Sequence, residues 1–176
     1  MKFLRNLLLG VAALLALLVL AAFMLPDAYE VERRIHIKAR PAEVYALIAS
    51  PREWKRWSTW NRRDPEMRLS YSGPETGAGA SWKWESRSQG HGEMTLVRAE
   101  PGQVVEYDLF FPDFDSRPRG SLSLRPDGDG TEVVWRMSGR SGLNPFMRWM
   151  NLFMDGMVGR DFEEGLGNLR EVAEKP

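Results

Sequence analysis

The sequence has no cysteine among its 176 residues, which excludes disulfide bridges, thiolate nucleophiles and zinc–thiolate sites. Only two histidines are present, His36 and His91, so side chains that titrate near neutral pH are scarce. Neither charge sign is in excess: 24 lysines and arginines balance 24 aspartates and glutamates. Without a basic field to displace counterions, nucleic acid is not an expected partner. Also missing are a phosphate-cradling glycine loop, a nucleophile elbow and a His-x-x-x-His pair. Asp127 and Asp129 lack the remainder of a calcium-loop pattern, so neither a metal site nor a cofactor is expected.

One long apolar run is present. From Leu7 to Leu25 nineteen residues carry no charge, and as a helix they would extend roughly 28 Å, close to the thickness of a bilayer core. Lys2 and Arg5 precede the run, and Asp27 and Glu30 follow it. This asymmetry predicts an N-inside anchor over residues 1–26, with residues 27–176 forming a domain on the extracytoplasmic side. A cleaved signal peptide is the competing reading. Only Val19-Leu20-Ala21 approximates a small-x-small cleavage site, and the run is longer than a typical signal core.

Past Pro26 the pattern switches to alternation, with Val31, Arg33, Ile35 and Ile37 on one face of a first strand. Pro41 opens a short helix that ends at Ser50-Pro51, the first of two short helices expected before the next strand. Six further strands are expected over residues 67–71, 81–86, 93–99, 104–111, 120–124 and 131–138, separated by turn signals. Their apolar residues keep one sense, as in Trp82 and Trp84, Tyr107 and Leu109, Trp135 and Met137. A sheet with one apolar face needs a cover. The segment from about Pro145 supplies it, with Phe146, Trp149, Met150, Phe153, Met157, Phe162, Leu166 and Leu169 at helical spacing. The expected class is α+β: a curved antiparallel sheet of about seven strands around a long C-terminal helix. Gly156 and Gly159 are expected to weaken that helix and to allow a bend or close packing over the mouth of any cavity between it and the sheet.

The residues from about Val31 to Ala173 resemble the START-like superfamily, and within it the bacterial proteins similar to polyketide cyclases and dehydrases. The resemblance rests on Ala39-Arg40-Pro41-Ala42-Glu43-Val44, the series Trp54-x-x-Trp57-Ser58-x-Trp60 with Asp64-Pro65, and the glycines from Gly73 to Gly79 leading to Trp82. Gly130-Thr131-x-Val133-x-Trp135 and Asp161-Phe162-x-x-Gly165-Leu166-x-x-Leu169 complete it. It implies a helix-grip fold and, as in many members, a cavity between sheet and helix that holds an apolar ligand.

The residues expected to line that cavity are Trp82, Trp84, Tyr107, Leu109, Trp135 and Met137 on the sheet, with Trp149, Phe153 and Met157 on the helix. Met147, Met150, Met154 and Met157 add a polarisable stripe suited to varied apolar ligands. Trp54, Trp57 and Trp60 would form either an entrance beside the cavity or a clasp closing one end of the core. For acid–base chemistry His91 with Glu93 or Glu85 is the best available set, although a histidine between two glycines is more often a surface residue. The preferred reading is a non-catalytic, membrane-tethered domain that binds a lipid or other hydrophobic small molecule. The alternative is a cyclase- or dehydrase-like enzyme using the same cavity.

Overall fold

The structure, a computed structural model, describes residues 1–175. Helix α1 (Lys2–Ala22) leads through a short turn to strand β1 (Ala28–Ile37). Three short helices follow, α2 (Pro41–Ile48), α3 (Trp54–Trp57) and α4 (Thr59–Arg63). A meander then runs through β2 (Arg68–Ser72), β3 (Ser81–Ser86), β4 (Gly90–Glu100), β5 (Val104–Phe110), β6 (Arg119–Asp127) and β7 (Gly130–Arg140), before helix α5 (Pro145–Ala173). All seven strands join one antiparallel sheet in the order β1-β7-β6-β5-β4-β3-β2. This is the α+β architecture expected from the sequence, with β4, β6 and β7 longer than the residue pattern indicated and three short helices after β1.

Local chemistry fixes the boundaries. In α2, Glu43 accepts from the backbone N–H of Arg40 at 2.9 Å, and Pro41 occupies the first turn. In α5, Asn144 caps the N-terminus by accepting from the Met147 N–H at 3.2 Å, with Pro145 following it. The β6–β7 hairpin has a two-residue turn whose first position, Gly128, takes φ +57°. A register shift between Leu96 and Arg98 turns Val97 outward and leaves it half exposed, while Met94 and Leu96 stay inside.

Helix α5 packs on β1 and on α2, α3 and α4. Its buried residues are Gly159, Phe162, Gly165, Leu166, Asn168 and Leu169, all in its second half. Of the two glycines, Gly159 serves close packing. At Gly159 a Cβ would lie 2.0 Å from Arg33 Nη2, so the missing side chain is the notch through which the Arg33 guanidinium crosses the helix. Arg33 there bonds Asp155 at 2.8 Å and Glu163 at 2.6 Å, one turn to either side. These partners hold the guanidinium charged and depress the Asp155 carboxyl below the usual range. Beside Gly156 there is open space.

Helix α1 carries apolar side chains exposed on every face, and only Ala22 is buried. Its length and composition suit a bilayer crossing, a test that a secretory signal also passes.

Candidate functional site

The centre of the concave face is filled by tryptophan. Trp54 and Trp57 are 2% and 0% exposed, with ring centroids 4.4 Å apart. Trp54 also lies 5.3 Å from Trp82, 5.7 Å from Tyr107 and 5.8 Å from Trp135. Each indole N–H is satisfied by the end of α2: Trp54 donates to the Ile48 carbonyl at 2.9 Å and Trp57 to that of Leu47 at 3.1 Å. Trp135 stacks on Phe162 at 4.0 Å and donates to the Tyr107 hydroxyl at 2.7 Å. Trp54 and Trp57 are therefore a clasp, and the entrance role does not fit their burial. Three-residue spacing places two rings on one helical edge, and that edge faces the sheet. Trp60 alone of the three stays partly exposed, edge-on to Trp135 at 6.0 Å and Phe162 at 6.4 Å.

Toward the end of the sheet where α1 enters, rings lie directly across the backbone of the same face. Three inward positions there are glycines: Gly92 at the start of β4, Gly120 at the start of β6 and Gly139 near the end of β7. Each is crossed by an aromatic ring. A Cβ at Gly92 would fall 2.4 Å from Trp84, one at Gly120 would fall 2.2 Å from Tyr107, and one at Gly139 would fall 2.6 Å from the Tyr29 hydroxyl. A strand glycine commonly marks such an approach, and this was the readable signal that composition and spacing alone passed over. Trp84 meets Phe111 edge-on at 5.7 Å, and both remain partly exposed, as do Tyr29 and Met154. Leu109 and Met137 are nearly covered. Trp84, Phe111, Tyr29 and Met154 are thus partly exposed apolar side chains packed against the core.

The helical part of the predicted lining lies elsewhere. Trp149 donates to the Leu18 carbonyl of α1 at 3.2 Å, while Phe153 and Met157 point outward and are half exposed. The reason is a phase difference. The core stripe of α5 runs through Met154, Val158, Phe162, Leu166 and Leu169, whereas Phe146, Trp149, Phe153 and Met157 lie on a stripe one residue earlier, roughly 100° around the helix. Two apolar faces were read as one.

The acid–base candidates fall on the convex side. His91 Nε2 is 3.1 Å from Asp113 and half exposed. Glu93 pairs with Lys83 at 3.4 Å and Glu85 with Arg68 at 2.9 Å. Strand alternation points all three away from the concave face, so the sheet separates them from it. Two shallow hollows of about 330 and 300 Å³ on that convex side are lined mainly by charged and hydroxyl side chains, among them Glu106, Arg119, Ser121 and Arg136. The titratable groups on the concave side include two phenols. Burial raises the Tyr107 hydroxyl well above the ordinary phenol range and pushes Tyr29 up to about 12. Both stay protonated at neutral pH, so they can donate hydrogen bonds but do not serve as bases. Among the described residues no group of three or more His, Asp or Glu is placed to hold a metal ion.

A family model described as polyketide cyclase / dehydrase and lipid transport matches residues 28–174. The chain belongs to that family. Comparison with curated proteins gives no match. Among solved structures, a protein of Chromobacterium violaceum is 14% identical with a TM-score of 0.61, over 86% of this chain and 99% of its own. A protein of Rhizobium leguminosarum is also 14% identical, with a TM-score of 0.62 over 85% and 97%. The di-domain ARO/CYC protein StfQ from the steffimycin biosynthetic pathway is 12% identical, with a TM-score of 0.62 over 84% of this chain and 51% of its own. At these identities the likeness is one of fold. Family membership and these neighbours agree on the helix-grip architecture.

Proposed function

We propose that this family member is a membrane-tethered domain that takes up a lipid or another hydrophobic small molecule in the groove between the first half of α5 and the sheet. The carrying observation is the set of inward glycines at the α1 end of β4, β6 and β7, which lets the rings of Trp84 and Tyr29 lie flat against the sheet while staying partly exposed as an apolar surface. A site of this kind is apolar with few polar groups, and here the partly exposed Tyr29 phenol is a polar group within the concave face. Helix α1 serves as the anchor, and Lys2 and Arg5 keep its start inside, which puts the domain on the extracytoplasmic side. A ligand drawn from the bilayer then needs no aqueous transit.

Native mass spectrometry of the intact chain released from detergent micelles tests this reading. The expected spectrum contains a population carrying one extra lipid-like mass per chain, which Trp84→Glu removes. Bare chain in every preparation, from membranes of differing lipid composition, refutes it. A second reading, cyclase- or dehydrase-like chemistry in the same groove, is favoured only by the partly exposed Tyr29 hydroxyl, which can hydrogen-bond a substrate carbonyl.

A further inference from the structure

The exposed stripe of α5 sits against the anchor. The Trp149 indole reaches the carbonyl of Leu18, more than one turn before α1 ends at Ala22 and seven residues before the apolar run ends at Leu25. Arg148 bonds the Leu25 carbonyl at 3.1 Å and the Phe23 carbonyl at 3.4 Å, and it lies 5.3 Å from the Phe23 ring. Asn151 donates to the Pro26 carbonyl at 3.2 Å. The start of α5 is therefore fixed alongside the last turns of α1. If α1 occupies the hydrocarbon, whatever surrounds Leu18 also surrounds Trp149.

The side chains beside Trp149 suit that depth. Leu143 is 80% exposed, Phe146 63%, Phe153 59% and Leu152 51%, a large apolar patch to leave in water. Residues 143–158 contain only two charges, Arg148 and Asp155. The first is engaged by backbone carbonyls at the end of α1, the second by Arg33. Tryptophan and arginine are also the side chains that favour the boundary between acyl chains and headgroups. The loop after β5, at the same end of the sheet, exposes Phe114 as well.

We infer that the first three turns of α5 form a second membrane contact, with Phe146 and Phe153 in the interfacial layer of the bilayer that α1 spans. This rests on α1 being a retained anchor. A continuous apolar path then connects the acyl chains, Phe153 and Met154. The domain is docked on the membrane, with the open end of its concave face toward the lipid.

Because the chain has no native cysteine, single cysteines report position directly. The full chain is reconstituted in phosphatidylcholine vesicles with an environment-sensitive fluorophore at Phe146→Cys, Phe153→Cys, Leu14→Cys or Glu171→Cys, and quenched by lipids spin-labelled near the headgroup or deep in the acyl chain. All four positions are exposed, so the substitutions spare the core. The expected result is a roughly twofold loss of emission at 146 and 153 with the shallow quencher, matching an interfacial helix buried about 5–10 Å. Leu14 should respond to the deep quencher and Glu171 to neither. If 146 and 153 behave like 171 while Leu14 is quenched, the second contact is overturned and the anchor stands. Blue-shifted emission at 146 and 153 without lipid quenching means a protein partner, such as a second copy, covers the patch, and it overturns the inference too. An unquenched Leu14 removes the anchor itself and the inference with it.

Discussion

Trp54→Ala lowers the stability of the folded domain by about 3–5 kcal/mol, the range for emptying a fully packed tryptophan site. Its ring touches four other aromatic rings at centroid distances between 4.4 and 5.8 Å, so no single neighbour can collapse into the space. The Ile48 carbonyl loses its donor in the same step, which compounds the loss. Trp60→Ala, at a partly exposed ring on the next helix, costs clearly less. Urea unfolding in detergent, followed by near-ultraviolet circular dichroism, reads both. A Trp54→Ala midpoint equal to that of the parent would mean that this ring is a mobile lid, in which case the centre of the concave face is open.

Gly120→Ala is expected to destabilise by about 1–3 kcal/mol although it adds one methyl group, because overpacking a filled interior forces side chains off their rotamers. The new Cβ would fall 2.2 Å from Tyr107 Cζ and 2.3 Å from its hydroxyl. Tyr107 has nowhere to retreat: it is 1% exposed, bonded by Trp135 and packed against Trp54. The clash predicts coupling, so in the Gly120→Ala/Tyr107→Ala double variant the two losses should sum to less than their separate values. Strict additivity would show that the ring does not lie across the glycine.

Much of this was legible in the residues. Strand alternation identified the inward face correctly at Trp82, Tyr107, Leu109, Trp135 and Met137, because a one-residue slip in a one-sided sheet would put those rings in water. The antiparallel sheet and the position of α5 follow from periodicity and turn chemistry, whereas the family and its helix-grip fold were legible only through the resemblance carried by motifs such as Trp54-x-x-Trp57-Ser58-x-Trp60. What the pattern concealed was phase and depth. Phe153 and Met157 repeat at the same interval as Phe162 and Leu166, so only the packing shows that the two sets occupy different faces of α5. Trp54 and Trp57 carry indole N–H groups that suit a wet entrance equally well, and their partners, the last carbonyls of α2, emerge only once the chain has turned back on itself. The Arg33 notch at Gly159 joins residues far apart in sequence, and spacing cannot announce such a contact.

We propose that an apolar ligand lies at the α1 end of the concave face. This is tested most directly by titrating cis-parinaric acid, whose absorbance overlaps tryptophan emission, into the full chain in nanodiscs, with empty nanodiscs as the blank. The expected curve is saturable at one probe per chain, with energy transfer that falls in Trp84→Phe. Met154→Glu should weaken binding about tenfold or more, since it sets an unpaired carboxylate against the probe's hydrocarbon. Non-saturable uptake that is identical in the parent and in Met154→Glu would contradict the account.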